Sequence, residues 1–158
     1  MERAKIRTCL LLNGKVQEAV EFYTGLFDDS RIERTVPGLG EGAGPMVIEF
    51  TLAGTPYMAL DAPIETAFTY GLSISVLTAD QAETDRLWAT LTEGGEESHC
   101  GWLKDRFGFA WQIVPERLPE LMASRDAAAR GRVHQALMGM RKIDIAALER
   151  AHDNKVAA

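Results

Sequence analysis

One arrangement of apolar and turn residues occurs twice in this chain, and it limits the fold more than any single motif. In the first copy the apolar run Cys9–Leu12 precedes a stripe at helical spacing, Val16, Ala19, Val20, Tyr23, Leu26 and Phe27, with Asn13 or Gly14 offering the helix start. Three strand-like pieces follow. Arg31–Val36 ends at Pro37; Met46–Leu52 alternates Val47, Glu49 and Thr51 against Ile48, Phe50 and Leu52; Pro56–Leu60 comes after a Gly54-Thr55 turn. In the second copy Leu72–Thr78 reads as a strand, and Asp80 with Glu83 reads as a capping-box-like helix start. Leu87, Trp88 and Leu91 continue that helix to Gly94-Gly95, and Glu96–His99, Trp102–Asp105 and Ala110–Val114 supply three more strands.

Phe22-Tyr23 and Leu87-Trp88 are 65 residues apart, whereas Gly54-x-x-Tyr57-Met58 matches Gly108-x-x-Trp111-Gln112 at an offset of 54. Unequal offsets of this kind are what a duplicated βαβββ module leaves when its loops change length. The expected class is α+β: two βαβββ modules, about residues 5–61 and 69–115, forming an open eight-stranded barrel-like sheet. One helix per half lies on the convex side, and alternate residues line a concave inner face. Residues 1–115 are then the paired modules, and 116–158 a helical extension. In that extension Pro119 opens a short turn and Ala129, Val133, Ala136, Leu137 and Met140 form a stripe. A last helix starts at Asp144, with Ile143 and Leu148 at hydrophobic-staple spacing. The extension packs either on its own body or on a partner subunit.

With 158 residues and 46% hydrophobic residues the chain has the balance of a globular domain that needs no disulfide or metal staple. The two cysteines, Cys9 and Cys100, fit a reduced compartment, and the basic N-terminus carries only a four-residue apolar run, so the expected location is cytoplasmic. A net charge of −6 argues against nucleic acid, which needs a basic stripe to release counterions, and no membrane partner is expected. Residues 117–142 run the other way, with six Arg or Lys against Glu120 and Asp126, as a basic helix on an acidic body or acidic partner subunit would.

Gly38–Gly44 is glycine-rich, but Pro45 and an alternating run follow it rather than a helix, so a flexible hairpin loop is expected instead of a nucleotide or S-adenosylmethionine loop. His99, His134 and His152 fall at positions that read as solvated or structural, and no His-Glu-x-x-His, Ser-His-Asp or Cys-x-x-Cys arrangement is present. The densest polar and aromatic stretch is Cys100–Gln112. Its Asp105–Gly108 core suits a hairpin turn, and Trp102 and Gln112 fall on adjacent strands, where both would need hydrogen-bond partners if buried.

The strings Cys100-Gly101-Trp102-Leu103-Lys104-Asp105 and Trp111-Gln112-Ile113-Val114-Pro115, with Leu10–Leu12, Phe22-Tyr23, Glu49-Phe50 and Met58-Ala59-Leu60, resemble the PhnB-like branch of the vicinal oxygen chelate (glyoxalase/bleomycin-resistance) superfamily. The similarity runs from about Lys5 to His152. It implies paired βαβββ modules, usually a dimer, and a metal held by His or Glu on the first and last strands of each module. Carried over by motif, those positions are Cys9, Met58, one of Ser73, Ile74 and Ser75, and Gln112. None is His or a carboxylate, so no cofactor and no catalytic divalent metal are expected; a soft Cu(I) site on Cys9 and Met58 is the one exception.

Members similar to this sequence are often labelled demethylubiquinone methyltransferase. Three functions stay open: metal-free binding of a small molecule, an enzyme using an untypical base such as Glu49 or Asp61, and methyl transfer. Glu49 matters only if its face points into the pocket; otherwise it is a solvated edge residue. The expected ligand pocket is the concave face lined by Cys9, Phe50, Met58, Ser73, Trp102 and Gln112, with Tyr57 and Trp111 turned to the other side. The catalytic residues, if any, are not identified. The expected partners are a small-molecule ligand and a second copy of the chain in a homodimer.

Overall fold

The computed structural model describes residues 4–154; the first three residues of the basic N-terminal stretch and the last four of the extension lie outside them. The chain divides into two compact units, Met1–Ala67 and Phe68–Ala158, so residues 116–154 fold with the second module.

The first unit contains β1 (Thr8–Leu12), α1 (Val16–Thr24), β2 (Arg31–Pro37), β3 (Pro45–Leu52) and β4 (Thr55–Asp61), with the strands in the order β1-β4-β3-β2. β1 runs parallel to β4, and the other pairs are antiparallel. Neither Asn13 nor Gly14 caps α1. Gly14 takes φ +74, its amide donates to Asp61 Oδ1 at 2.6 Å, and the helix begins one residue later behind Lys15. The apolar stripe also outruns the helix: the Gly25 amide bonds back to Glu21 and Phe22, so Leu26 and Phe27 lie beyond its end. The β3–β4 turn is Ala53-Gly54, both at positive φ (44 and 77), with Leu52 opposite Thr55, rather than Gly54-Thr55. Two left-handed residues match the twist of the flanking strands.

The second unit repeats the pattern with β5 (Ile74–Thr78), α2 (Gln81–Thr92), β6 (Glu96–Glu97), β7 (Trp102–Lys104) and β8 (Ala110–Pro115), in the order β5-β8-β7-β6. Again the first and last strands are parallel and the others antiparallel. The duplication is therefore visible in topology as well as in sequence, and the eight strands form two four-stranded sheets. α2 starts as its sequence implies: Asp80 Oδ1 accepts from the Glu83 amide, and Glu83 Oε2 accepts from the Ala79 amide, each at 2.8 Å.

Three helices complete this unit, α3 (Arg117–Met122), α4 (Ala127–Met138) and α5 (Ile145–His152). Leu121, Val133, Ile143 and Leu148 form their buried core, and Asp126 and Asp144 cap α4 and α5. The extension docks on the module of its own chain. Gln81 on α2 donates to the Ile143 carbonyl and accepts from the Ile145 amide, at 3.1 and 2.9 Å, and Lys142 pairs with Asp85 at 2.7 Å. Arg141 approaches Glu97 at 3.6 Å, while Arg117 and Arg132 bind Glu149 and the last carbonyls of α5. Much of the basic segment thus serves its own unit. No helix of the described residues is long and apolar enough to cross a membrane.

Two backbone bonds join the extension to the turn before β7. The amides of Cys100 and Gly101 donate to the carbonyls of Met140 and Arg141, both at 2.8 Å. Gly101 sits at φ +83, and a Cβ there would lie 2.7 Å from the Ile113 carbonyl oxygen and 2.9 Å from Ile143 Cδ1. Gly101→Ala is therefore expected to cost on the order of 2–3 kcal/mol, measured by chemical denaturation, with α5 the first element to lose amide-exchange protection.

Candidate functional site

Each module has one sheet face sealed by its own helix. In the first, Leu10, Ile48, Phe50, Tyr57 and Ala59 are buried together with Val16, Ala19, Val20 and Tyr23 of α1. Phe50 and Tyr57 are register partners whose rings stack at 5.6 Å. In the second, Leu103, Trp111 and Ile113 are buried with Leu87, Trp88 and Leu91 of α2.

Side chains alternate across a strand, so the opposite faces follow from register. In the first module Cys9 pairs with Met58, Met58 with Glu49, and Glu49 with Arg34, which puts these four in one row. Phe50 is not on that face. Its pairing with Tyr57 turns it into the helix-side core, so it does not join Cys9 and Met58 as expected. Glu49 differs from expectation too: it lies on the interior strand β3 and is only 5% exposed, rather than being a solvated edge residue. Asp61 is committed to the Gly14 amide. Partial burial raises the Cys9 thiol above its ordinary value, which favours the neutral form at pH 7.

A further group on this module was not singled out from sequence. Arg7 donates to the carbonyls of Phe50 (3.4 Å) and Tyr57 (3.1 Å) and to Glu33 Oε2 (2.5 Å), while Thr51 donates to Glu33 Oε1 (2.5 Å). Glu33 stands where the β2–β3 register shifts between Ile32 and Arg34, and such bulges re-aim side chains. The Thr51 hydroxyl, then Arg7, hold the Glu33 carboxyl below its ordinary value of 4.5.

In the second module Ser75, Gln112 and Trp102 form the equivalent row. Gln112 Nε2 donates to Ser73 Oγ at 2.8 Å, so Ser73, Trp102 and Gln112 are brought together as half-buried neighbours. Two residues missed in sequence join them. Tyr70 meets Trp102 edge-on with centroids 5.7 Å apart, and Phe68 meets Tyr70 at 4.7 Å. Lys104 Nζ lies 5.3 Å from the Phe68 centroid and pairs with Glu96. The two-residue spacing of Phe68 and Tyr70 was the available signal, but it falls in a segment that reads as a connection between modules.

The motif Cys100–Gln112 also has a structural role. Asp105, 1% exposed, accepts from the amides of Phe107 and Phe109 and from Trp111 Nε1, at 2.8 to 3.0 Å. Residues 38–44 connect β2 to β3, as expected of a hairpin loop rather than a cofactor loop.

Among the described residues, no three His, Cys, Asp or Glu side chains converge on a possible ion site. The positions implied by the superfamily offer a protonated thiol, a thioether, hydroxyls and an amide already bonded to Ser73. This donor set does not fit a hard or borderline divalent ion, whose dehydration calls for imidazole or ionised oxygen.

A model of the family described as 3-demethylubiquinone-9 3-methyltransferase matches residues 4–114. Among solved structures, the PhnB protein from Bacillus cereus is 30% identical with a TM-score of 0.64, covering 71% of this chain and 99% of its own. Protein PA1353 from Pseudomonas aeruginosa is 25% identical with a TM-score of 0.60, covering 72% and 98%. The fosfomycin resistance protein FosX from Listeria monocytogenes, solved with Mn(II) and sulfate, is 14% identical with a TM-score of 0.52, covering 72% and 92%, and shares the fold. No functionally curated protein matches the chain.

Because the Glu33 carboxyl is depressed on folding, its contribution is fully present above about pH 4.5 and is lost as pH falls through its folded value. Glu33→Gln is expected to cost about 1–2 kcal/mol at pH 7 and to flatten the acid limb of a urea-denaturation series, since Arg7 then keeps only neutral partners. An unchanged acid limb would count against this assignment.

Proposed function

The chain belongs to the 3-demethylubiquinone-9 3-methyltransferase family, in the PhnB-like branch of the vicinal oxygen chelate superfamily, and we propose that it binds a small organic molecule without that superfamily's catalytic metal. The observation that carries this reading is the Ser73–Gln112–Trp102 group, on the sheet face turned away from α2. An amide, a hydroxyl and an indole on a half-buried surface are the few polar groups and the aromatic wall that orient a small ligand. A Gln amide in such a place needs partners on both its ends, and a ligand or an ordered water supplies what Ser73 does not.

The donor chemistry described above supports the metal-free part. Methyl transfer, the activity in the family's description, is the second reading, and titration calorimetry with S-adenosylmethionine separates it from simple binding. Glu49, opposite Met58 on the face that also carries Cys9, is the carboxylate a base-dependent reaction on this module would use, and Glu49→Gln tests that variant.

The assembly is proposed to be a homodimer, on the strength of the family resemblance. Native mass spectrometry of freshly purified protein reads three of these points in one spectrum. The expected result is a mass of two chains of 17.4 kDa plus a retained organic species, with no metal in stoichiometric amount. Near one Zn, Ni, Mn or Fe per chain after dialysis would overturn the metal-free reading, and a monomer at micromolar concentration the dimer. Gln112→Leu is expected to leave folding intact while weakening retention of that species roughly tenfold or more, the value of one buried hydrogen bond.

A further inference from the structure

The segment leading into β5 lies against the face just described. Its Phe68 and Tyr70 are 36% and 54% exposed; Ser73 and Phe68 are held by Gln112 and Lys104, while Tyr70 itself is fastened by ring contacts and by one hydroxyl bond, Tyr70 Oη to Ser98 Oγ at 3.2 Å. Ser98 is itself held opposite Trp102, its amide donating to the Trp102 carbonyl at 2.9 Å. For the Tyr70 side chain, a half-exposed ring and a single hydroxyl–hydroxyl bond make a weak attachment, of the sort that opens locally at small free-energy cost. Trp102 is therefore met at a steep angle by a phenol that belongs to the chain itself.

Resting on the reading that this face binds a small molecule, we propose that Tyr70 is an internal stand-in for the ligand, and that the ligand carries a phenol-like aryl ring which replaces Tyr70 against Trp102. Three features favour that class. The contact now made with Trp102 is an aromatic one, at 5.7 Å and 74°, so the indole already accepts a ring in this place. The ring's hydroxyl finds a partner in Ser98, and a phenolic hydroxyl from solution could use the same oxygen. Gln112 is the cross-strand partner of Trp102, so its amide lies within reach of a second polar group on the ring. An aliphatic alcohol could bond to Ser98 but has no ring to set against the indole, and a hydrocarbon would use neither.

The probe is 4-methylphenol, followed by the indole N–H signals in proton–nitrogen correlation spectra. The chain has three tryptophans, and two serve as internal controls: Trp88 Nε1 is bonded to Glu97 and Trp111 Nε1 to Asp105, both rings being buried. The expected result is a saturable shift of the Trp102 signal alone, absent with cyclohexanol. Tyr70→Ala should tighten 4-methylphenol binding about two- to tenfold, the range set by the loss of one competing edge-to-face pair. Trp102→Phe keeps an aromatic ring and should retain binding, read through the Gln112 side-chain amide, whereas Trp102→Leu should lose it. Unchanged or weaker binding in Tyr70→Ala, or equal shifts at Trp88 and Trp111, would overturn the proposal. If the species retained in native mass spectrometry is lost in Gln112→Leu while Tyr70→Ala leaves 4-methylphenol binding unchanged, the stand-in role falls and the binding reading stands.

Discussion

The carboxylate of Asp105 sets the geometry on which the second module depends. It is buried, and it satisfies two turn amides and the Trp111 indole at once, which closes the β7–β8 hairpin and fixes Trp111 on the side of α2. A strand cannot turn one residue inward without turning the next outward. Locking Trp111 under the helix therefore obliges Gln112 to face the other way, and the register of β7 brings Trp102 to the same side. The polar and aromatic group that carries the functional reading follows from a hydrogen-bonded hairpin, and the string Asp105-x-x-Gly108-x-x-Trp111-Gln112 encodes both.

The stretch just before that hairpin has a second duty. Cys100, at φ 57, and Gly101 turn the chain so that two successive amides meet the carbonyls that precede α5. The extension is then held by backbone bonds, by the Gln81 side chain and by an apolar core of its own. Because these contacts are made within one chain, the extension is a structural part of the second unit.

What could be read from the sequence was what local chemistry decides. Periodicity located the strands, and Asp80 and Asp144 accept amide hydrogen bonds at the starts of their helices, whereas the same role of Asp126 was not singled out. The staple residues Ile143 and Leu148 are both fully buried in one cluster. Phe50 was a parity that could have been worked out: any two-residue turn after Leu52 pairs an even position of β3 with an odd position of β4, which puts Phe50 beside Tyr57 and never beside Met58. The Arg7–Glu33–Thr51 group could not be found this way. It depends on a bulge in β2 and on an arginine reaching across strands, and neither leaves a periodic trace. Tyr70 and Phe68 were hidden for the same reason, since a connection has no register to reveal what it lies on.

Duplication explains why the two faces can share a frame and differ in chemistry. Register makes Met58 equivalent to Gln112, Cys9 to Ser75 and Glu49 to Trp102, because each holds the same place relative to the parallel and antiparallel pairs of its sheet. The backbone fixes where these side chains stand, and the helix-side core that fixes the backbone contains none of them. Their identity is therefore set apart from the helix-side packing that holds the fold. In the first module the row is thiol, thioether, carboxylate and guanidinium; in the second it is hydroxyl, amide and indole. The second row suits an uncharged polar and aromatic molecule, since an amide and a hydroxyl form directional neutral bonds, whereas an ion would be left without the charge needed to replace its water.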